Sequence, residues 1–257
     1  MTARFETLRY EVDGGLARLT LNRPEQRNGM TNRMVREARE ALELAATDQT
    51  LRVLVLTGAG SSFCPGADLN HFTSGEADER LTSPDFQVTT LLHEIPAVTV
   101  AAVNGACAGA GMGWALACDL RLMTAGAKMN TAFLDVAVAG DMAIPWSLPR
   151  LVGAARARDL SFLPRRIDAA EALQIGLVAR VFPDDTFRAD VEDVLAALLA
   201  KSPTALLGLK QHYVMAERMG LSDFVDYEAE RHLRIARSEH TAEAFRAFVE
   251  KRPPRFT

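Results

Sequence analysis

The feature that most constrains this chain is residues 95–118, a run without a single charged side chain that is long enough to cross a bilayer core of about 30 Å. Such a run is stable either in lipid or inside a folded domain. It also holds Pro96, Asn104 and glycines at 105, 109, 111 and 113. Alanine and glycine give little transfer energy, and Asn104-Gly105 signals a turn. The run therefore predicts a buried strand over residues 97–103, a glycine-rich loop and a buried helix over 112–117, not a membrane span.

The rest of the chain supplies what would bury it. With 257 residues, 48% hydrophobic and 24% charged, the sequence supports one sizeable core plus a small appendage and excludes a disordered or fibrous protein. Residues 5–12 and 16–21 read as a hairpin around Asp13-Gly14-Gly15. After Thr31 or Asn32 as a helix cap, Met34, Val35, Ala38, Ala41, Leu42 and Ala45 repeat with helical period. LRVLVLTG at 51–58 reads as a buried strand, 86–94 as a helix and 120–123 as another strand. This order of strand, loop and helix predicts an α/β domain with several crossovers. Residues 184–200, 203–219, 222–237 and 241–250 are helical by period, so a core over 1–195 is followed by a helical region over 196–257. Its apolar stripe of Leu206, Leu209, Tyr213 and Met215 suits core or subunit contact.

A net charge of −4 and a pI near 5.8 provide no global basic field for nucleic acid or an anionic membrane, so an anionic ligand must be held locally. Cys64, Cys107 and Cys118 form an odd set without CxxC spacing, which fits a reducing compartment. The opening residues MTARFETLRYEV are charged and alternating, unlike an export signal, and a cytoplasmic protein is expected. No histidine, cysteine and aspartate cluster has metal-ligand spacing, so no metal is expected.

Two segments carry the chemistry: SSFCPGAD at 61–68 and NGACAGAGMG at 104–113, each following a buried strand. Small residues let a ligand approach the main chain. Where a helix begins just beyond, its unpaired N–H groups and positive dipole end hold a carbonyl oxygen that becomes negative during reaction. Neither a phosphate-binding Gly-Lys-Ser/Thr nor a GxSxG nucleophile elbow occurs, and Gly109-Ala110-Gly111 runs on into Met112, Gly113 and Trp114.

These segments, with LNRPEQRNGM, VLTGAGSSFCPGADL, DMAIPWSLPRLVG, DAAEALQIGLVARVFP and FVEKRPPRF, resemble the successive motifs of the crotonase (enoyl-CoA hydratase/isomerase) superfamily over almost the whole chain. The resemblance implies a spiral of ββα units with a C-terminal helical region for trimers, often paired into hexamers. It implies an acyl-CoA thioester as ligand, coenzyme A entering as part of the substrate and no tightly bound cofactor. Ala67 and Ala110 fall on the two oxyanion-hole donors, the second being glycine in most of the family. Alanine keeps the N–H but resists positive φ, so Gly109 or Gly111 must take any left-handed turn. Arg23 and Arg27 match positions near the coenzyme phosphates, Asp68 and Leu69 adjoin the first donor, and Phe248 and Lys251 resemble an adenine-side pair from a neighbouring subunit.

The two glutamates of the family's hydratases would fall at Gly113 and Phe133, neither of which carries a proton. Another branch of the superfamily places an aspartate before a tryptophan, and here Asp141 precedes Trp146. A carboxyl beside an apolar acyl pocket has a raised pKa and shuttles a proton between carbons, which is double-bond isomerisation. Asp68 is expected to brace its own loop, and Asp135 is a weaker rival base. His71, Trp114, Phe133 and Trp146 are expected at the pocket, built partly by residues 70–90. Isomerase, hydratase, non-catalytic acyl-CoA binder and acyl-CoA hydrolase all remain open from the sequence.

Overall fold

The computed structural model describes residues 2–74 and 80–256, so part of the 70–90 segment lies outside the described residues. Thr2–Arg4 (β1), Leu8–Asp13 (β2) and Leu16–Leu21 (β3) form an antiparallel meander. There follow Asn32–Thr47 (α1), Val53–Gly58 (β4), Ser62–Cys64 (β5), Leu69–Thr73 (α2), Val88–Glu94 (α3), Val98–Val103 (β6), Ala106–Ala108 (β7) and Gly109–Ala117 (α4). Leu120–Thr124 (β8), Lys128–Asn130 (β9), Ile144–Val152 (α5), Ala154–Phe162 (α6), Ile167–Asp168 (β10), Ala169–Gln174 (α7) and Arg180–Phe182 (β11) complete the α/β part. The chain ends in Phe187–Leu199 (α8), Pro203–Ala216 (α9), Leu221–Ala236 (α10) and Glu239–Val249 (α11).

The strands make two sheets, one in the order β1-β2-β3-β4-β6-β8-β11 and a smaller one in the order β10-β9-β7-β5. From β3 onward the large sheet is parallel. In β4-β5-α3, β6-β7-α4 and β8-β9-α5, the first strand joins the large sheet and the second joins the small one. Each unit thus advances one strand in both sheets, which is the expected crotonase spiral of ββα units.

The charge-free run becomes β6, β7 and α4, and every residue of β6 and α4 is buried. Among the described residues no helix is long and apolar enough to cross a membrane. Hydrophobic residues pack both faces of the large sheet, one under α1, α3 and α4 and the other under Phe187, Val191, Val194 and Leu195 of α8. Residue 195 therefore lies inside a helix that belongs to the core. Lys210 ties α9 to the sheet, its buried ammonium lying 2.6 and 2.7 Å from the two carboxylate oxygens of Asp119.

The expected hairpin and the Thr31 cap are found, the Thr31 hydroxyl accepting from the Met34 N–H at 3.2 Å. The glycine-rich segments differ from expectation. Helix α4 begins at Gly109 instead of residue 112, and the segments read as loops contain the strands β5 and β7, of three residues each. Three residues are too few for a strand period to show in sequence.

Candidate active site

Strand β5 runs into Pro65-Gly66-Ala67-Asp68, and its hydrogen-bonded neighbour β7 runs straight into α4. The two loops leave the small sheet side by side: a Cβ on Gly66 would stand 3.1 Å from the Ala108 carbonyl oxygen and 3.6 Å from Gly109 Cα. The Gly66 carbonyl accepts from the Met30 N–H at 2.8 Å, and the Asp68 N–H donates to the Met30 carbonyl at 2.9 Å. These bonds pin the chain on either side of Ala67, whose own N–H has no acceptor among the described residues. Ala110 is the second residue of α4, where helix geometry provides no intrahelical acceptor, and its N–H likewise has none among the described residues. Gly109 takes the left-handed conformation, φ +50°, so Ala110 escapes positive φ. The substitution of alanine at 110 is accommodated by the glycine before it.

Asp141 stands in a tight bend before α5, between Gly140 at φ +103° and Met142 and Ala143 at φ +47° and +58°. Its Oδ1 is buried without a hydrogen-bond partner, and burial is the cause that raises its pKa above the ordinary aspartate range. A raised pKa brings a carboxyl closer to the balance needed both to accept a proton and to return it. Phe133 connects this bend to the start of α4: its ring comes within 3.9 Å of a Cβ built on Gly109 and 3.7 Å of one on Gly140. Asp135 is exposed.

Behind Phe133 lies an apolar cavity of about 320 Å³, walled by Gly140, Ile144, Leu148, Ala157 and Phe162. The expectation that the two tryptophans line such a pocket is corrected by the structure. Trp114 is wholly buried, its Nε1–H donating to the Met142 sulfur at 3.3 Å, because α4 is enclosed all round. Trp146 lies on the outer side of α5, edge-on to His93 at 5.3 Å with the Arg150 guanidinium 3.8 Å from its ring centre. The cavity walls from α5 and α6 escaped sequence analysis, since Ile, Leu and Ala there look like any helix core.

On the other side of the Ala67 loop an open polar cleft of about 660 Å³ is lined by Arg23, Arg27, Asp68, Asn70, His71 and Ser74. Arg23 is engaged within it, forming a salt bridge of 2.9 Å with Asp68 and a hydrogen bond to the Gly29 carbonyl. Asp68 also caps α2 by accepting from the His71 N–H at 3.1 Å. Burial would raise the Asp68 pKa, but the His71 N–H and Arg23 outweigh it and hold the carboxyl below its usual range. Asp68 therefore braces the loop that carries Ala67, as expected, while Arg27 is exposed. Leu69, the first residue of α2, is exposed beside it.

Phe248 is 85% exposed at the end of α11, and Lys251 follows in a left-handed turn at φ +53°. Neither lines any of these cavities within the chain. The three cysteines are free and buried, burial pushing the Cys64 and Cys118 thiols up to about 12 and Cys107 well above its ordinary value. None of them is a nucleophile at neutral pH. Among the described residues no group of acidic, histidine or cysteine side chains is placed to hold a metal.

A two-sheet spiral of ββα units followed by a helical C-terminal region is the architecture of the crotonase fold. The chain matches the enoyl-CoA hydratase/isomerase family over residues 11–257 and belongs to that family. It is 36% identical to the 1,2-epoxyphenylacetyl-CoA isomerase of Escherichia coli K12, covering 98% of both chains. It is 35% identical to a probable enoyl-CoA hydratase of Rhodobacter capsulatus, again over 98% of both. A solved structure from Thermobifida fusca, a putative enoyl-CoA hydratase in complex with acetoacetyl-CoA, superposes with a TM-score of 0.84 at 32% identity, covering 90% of this chain and 96% of that one. Relatives thus include both isomerases and hydratases.

Proposed function

We propose that this protein binds an acyl-coenzyme A thioester and moves a double bond along its acyl chain. In this reading the N–H groups of Ala67 and Ala110 hold the thioester oxygen as it becomes an enolate, and Asp141 takes a proton from one carbon and returns it to another. The low dielectric of a closed site strengthens both contributions. The observation that carries the reading is the orphaned, buried Oδ1 of Asp141 with its raised pKa, in a chain whose two hydratase positions are Gly113 and Phe133. Syn hydration by two carboxylates lacks its residues here.

The cleft beside Ala67 suits the coenzyme, exposed Arg27 providing positive charge, Arg23 holding Asp68 and the Gly29 carbonyl in place, and His71 forming part of the wall. The apolar cavity behind Phe133 suits the acyl group. Coenzyme A enters only as part of the substrate. Phe248 at the end of α11 and Lys251 in the turn just beyond it, both exposed, serve a neighbouring subunit's adenine in a trimer or a pair of trimers.

The test is incubation with 2-enoyl, 3-enoyl and ring-containing CoA esters in heavy water, read by mass spectrometry. Isomer formation with deuterium at the α or γ carbon supports the reading. Hydroxyacyl product, release of free CoA, or binding without any exchange would replace it with hydration, hydrolysis or a non-catalytic role. Asp141→Asn should lower turnover by about a hundredfold to ten-thousandfold while leaving CoA-ester affinity within a factor of about two.

A further inference from the structure

One turn along α4 from Ala110, Gly113 faces the bend that carries Asp141. A Cβ at 113 would stand 2.5 Å from Met142 Cβ and 2.7 Å from the Met142 carbonyl oxygen, so any side chain there displaces Met142. Met142 is 3% exposed, sits at φ +47°, and accepts the Trp114 Nε1–H on its sulfur at 3.3 Å. Two consecutive residues of α4 therefore grip Met142, one against its backbone and one through its side chain. Asp141 is the next residue back. Nothing hydrogen-bonds its Oδ1 into place, and a carboxylate left to itself turns toward water. Its position must be set by the chain on either side: Gly140 against Phe133 and Pro145, and Met142 against α4.

We infer that Gly113, Trp114 and Met142 are positioning residues for Asp141, the missing side chain at 113 making the room in which Met142 anchors the bend and holds the carboxyl away from water. The inference rests on the reading of Asp141 as proton carrier. It also explains the loss of a carboxylate at 113: the space is filled by the segment that brings the other carboxylate in. The groups packed on the bend from α4 and from the 133 segment are Gly113, Trp114 and Phe133, none of which is charged, and burial is the cause of the raised pKa.

The experiment is carboxyl carbon-13 NMR of the full-length protein with labelled aspartate, the Asp141 signal being assigned by its loss in Asp141→Asn. Titration of Asp141 is compared in the wild type, Gly113→Ala and Met142→Leu. Wild-type Asp141 is expected to titrate above the ordinary value of about 3.9, and both variants to move it down toward that value, Gly113→Ala the further. On a CoA ester that the wild type converts, Met142→Leu should lower kcat about tenfold to a hundredfold with KM held. An Asp141 titration unchanged in both variants overturns the inference. Where Gly113→Ala does not fold, an unchanged titration in Met142→Leu alone overturns it. Full turnover by Asp141→Asn, with the titration still shifted in the variants, would instead remove the proton-carrier reading and leave the anchoring in place.

Discussion

Asp141 shows how one residue's surroundings set both its chemistry and its cost. Its carboxyl is held partly out of water with one oxygen unpaired, and the folded-state pKa lies above that of the unfolded chain. The folded state consequently favours the protonated form. Its stabilising contribution is complete below the unfolded pKa of about 3.9 and is lost as pH rises through the folded value. Asp141→Asn should therefore melt higher than the wild type at pH 7, by about 1 kcal/mol or less because the group is partly open to solvent, and match it at pH 3. Thermal unfolding at the two pH values measures this. Asp68 behaves in the opposite sense, since its pKa is lowered through the His71 N–H and Arg23. Asp68→Ala removes a helix cap and a partner of Arg23 and should cost about 1 kcal/mol near neutral pH, with the loss fading below pH 4. Denaturant titration at pH 7 and pH 3 checks it.

Among the elements, α4 connects local sequence to site most directly. A helix that begins immediately after a three-residue strand needs one residue to reverse the chain, and Gly109 supplies it at φ +50°. The nearest atom to a Cβ there is 3.7 Å away, so Gly109→Ala meets conformational strain and not a clash. The expected loss is about 1–2 kcal/mol of stability. Because the Ala110 N–H is re-aimed, a turnover loss of about a hundredfold should accompany it, measured by steady-state kinetics beside a denaturant titration. Helix α1 is simpler: Thr31→Ala removes the cap on the Met34 N–H and should cost about 1 kcal/mol with turnover unchanged. Elements of this kind were legible because caps and long periods are written locally. The strands β5, β7 and β9 were not, since each is three residues long and exists by pairing with the others.

In the whole molecule, the helical C-terminal region is joined to the spiral by the ion pair of buried Lys210 with part-buried Asp119 and presents apolar side chains outward, Leu221 at 81% and Phe248 at 85% exposure among them. Lys210→Met strands the Asp119 carboxylate and should lower global stability by about 3 kcal/mol, read from urea unfolding. The exposed apolar surface favours self-association, and sedimentation at micromolar concentration should give a particle of three or six chains. The sequence by itself determined the α/β class, the hairpin, the capped helix, the long parallel strands and the family, because hydrophobic period, turn residues and motif order are properties of the chain alone. It also singled out the Ala67 and Ala110 loops and Asp141. Only the tertiary structure decided that Gly109 carries the turn, that Trp114 is core, that Trp146 faces away from the cavity, and that Gly113 gives its space to Met142. Those facts depend on which distant segments come into van der Waals contact, and a linear sequence encodes such contacts only through the folded packing as a whole.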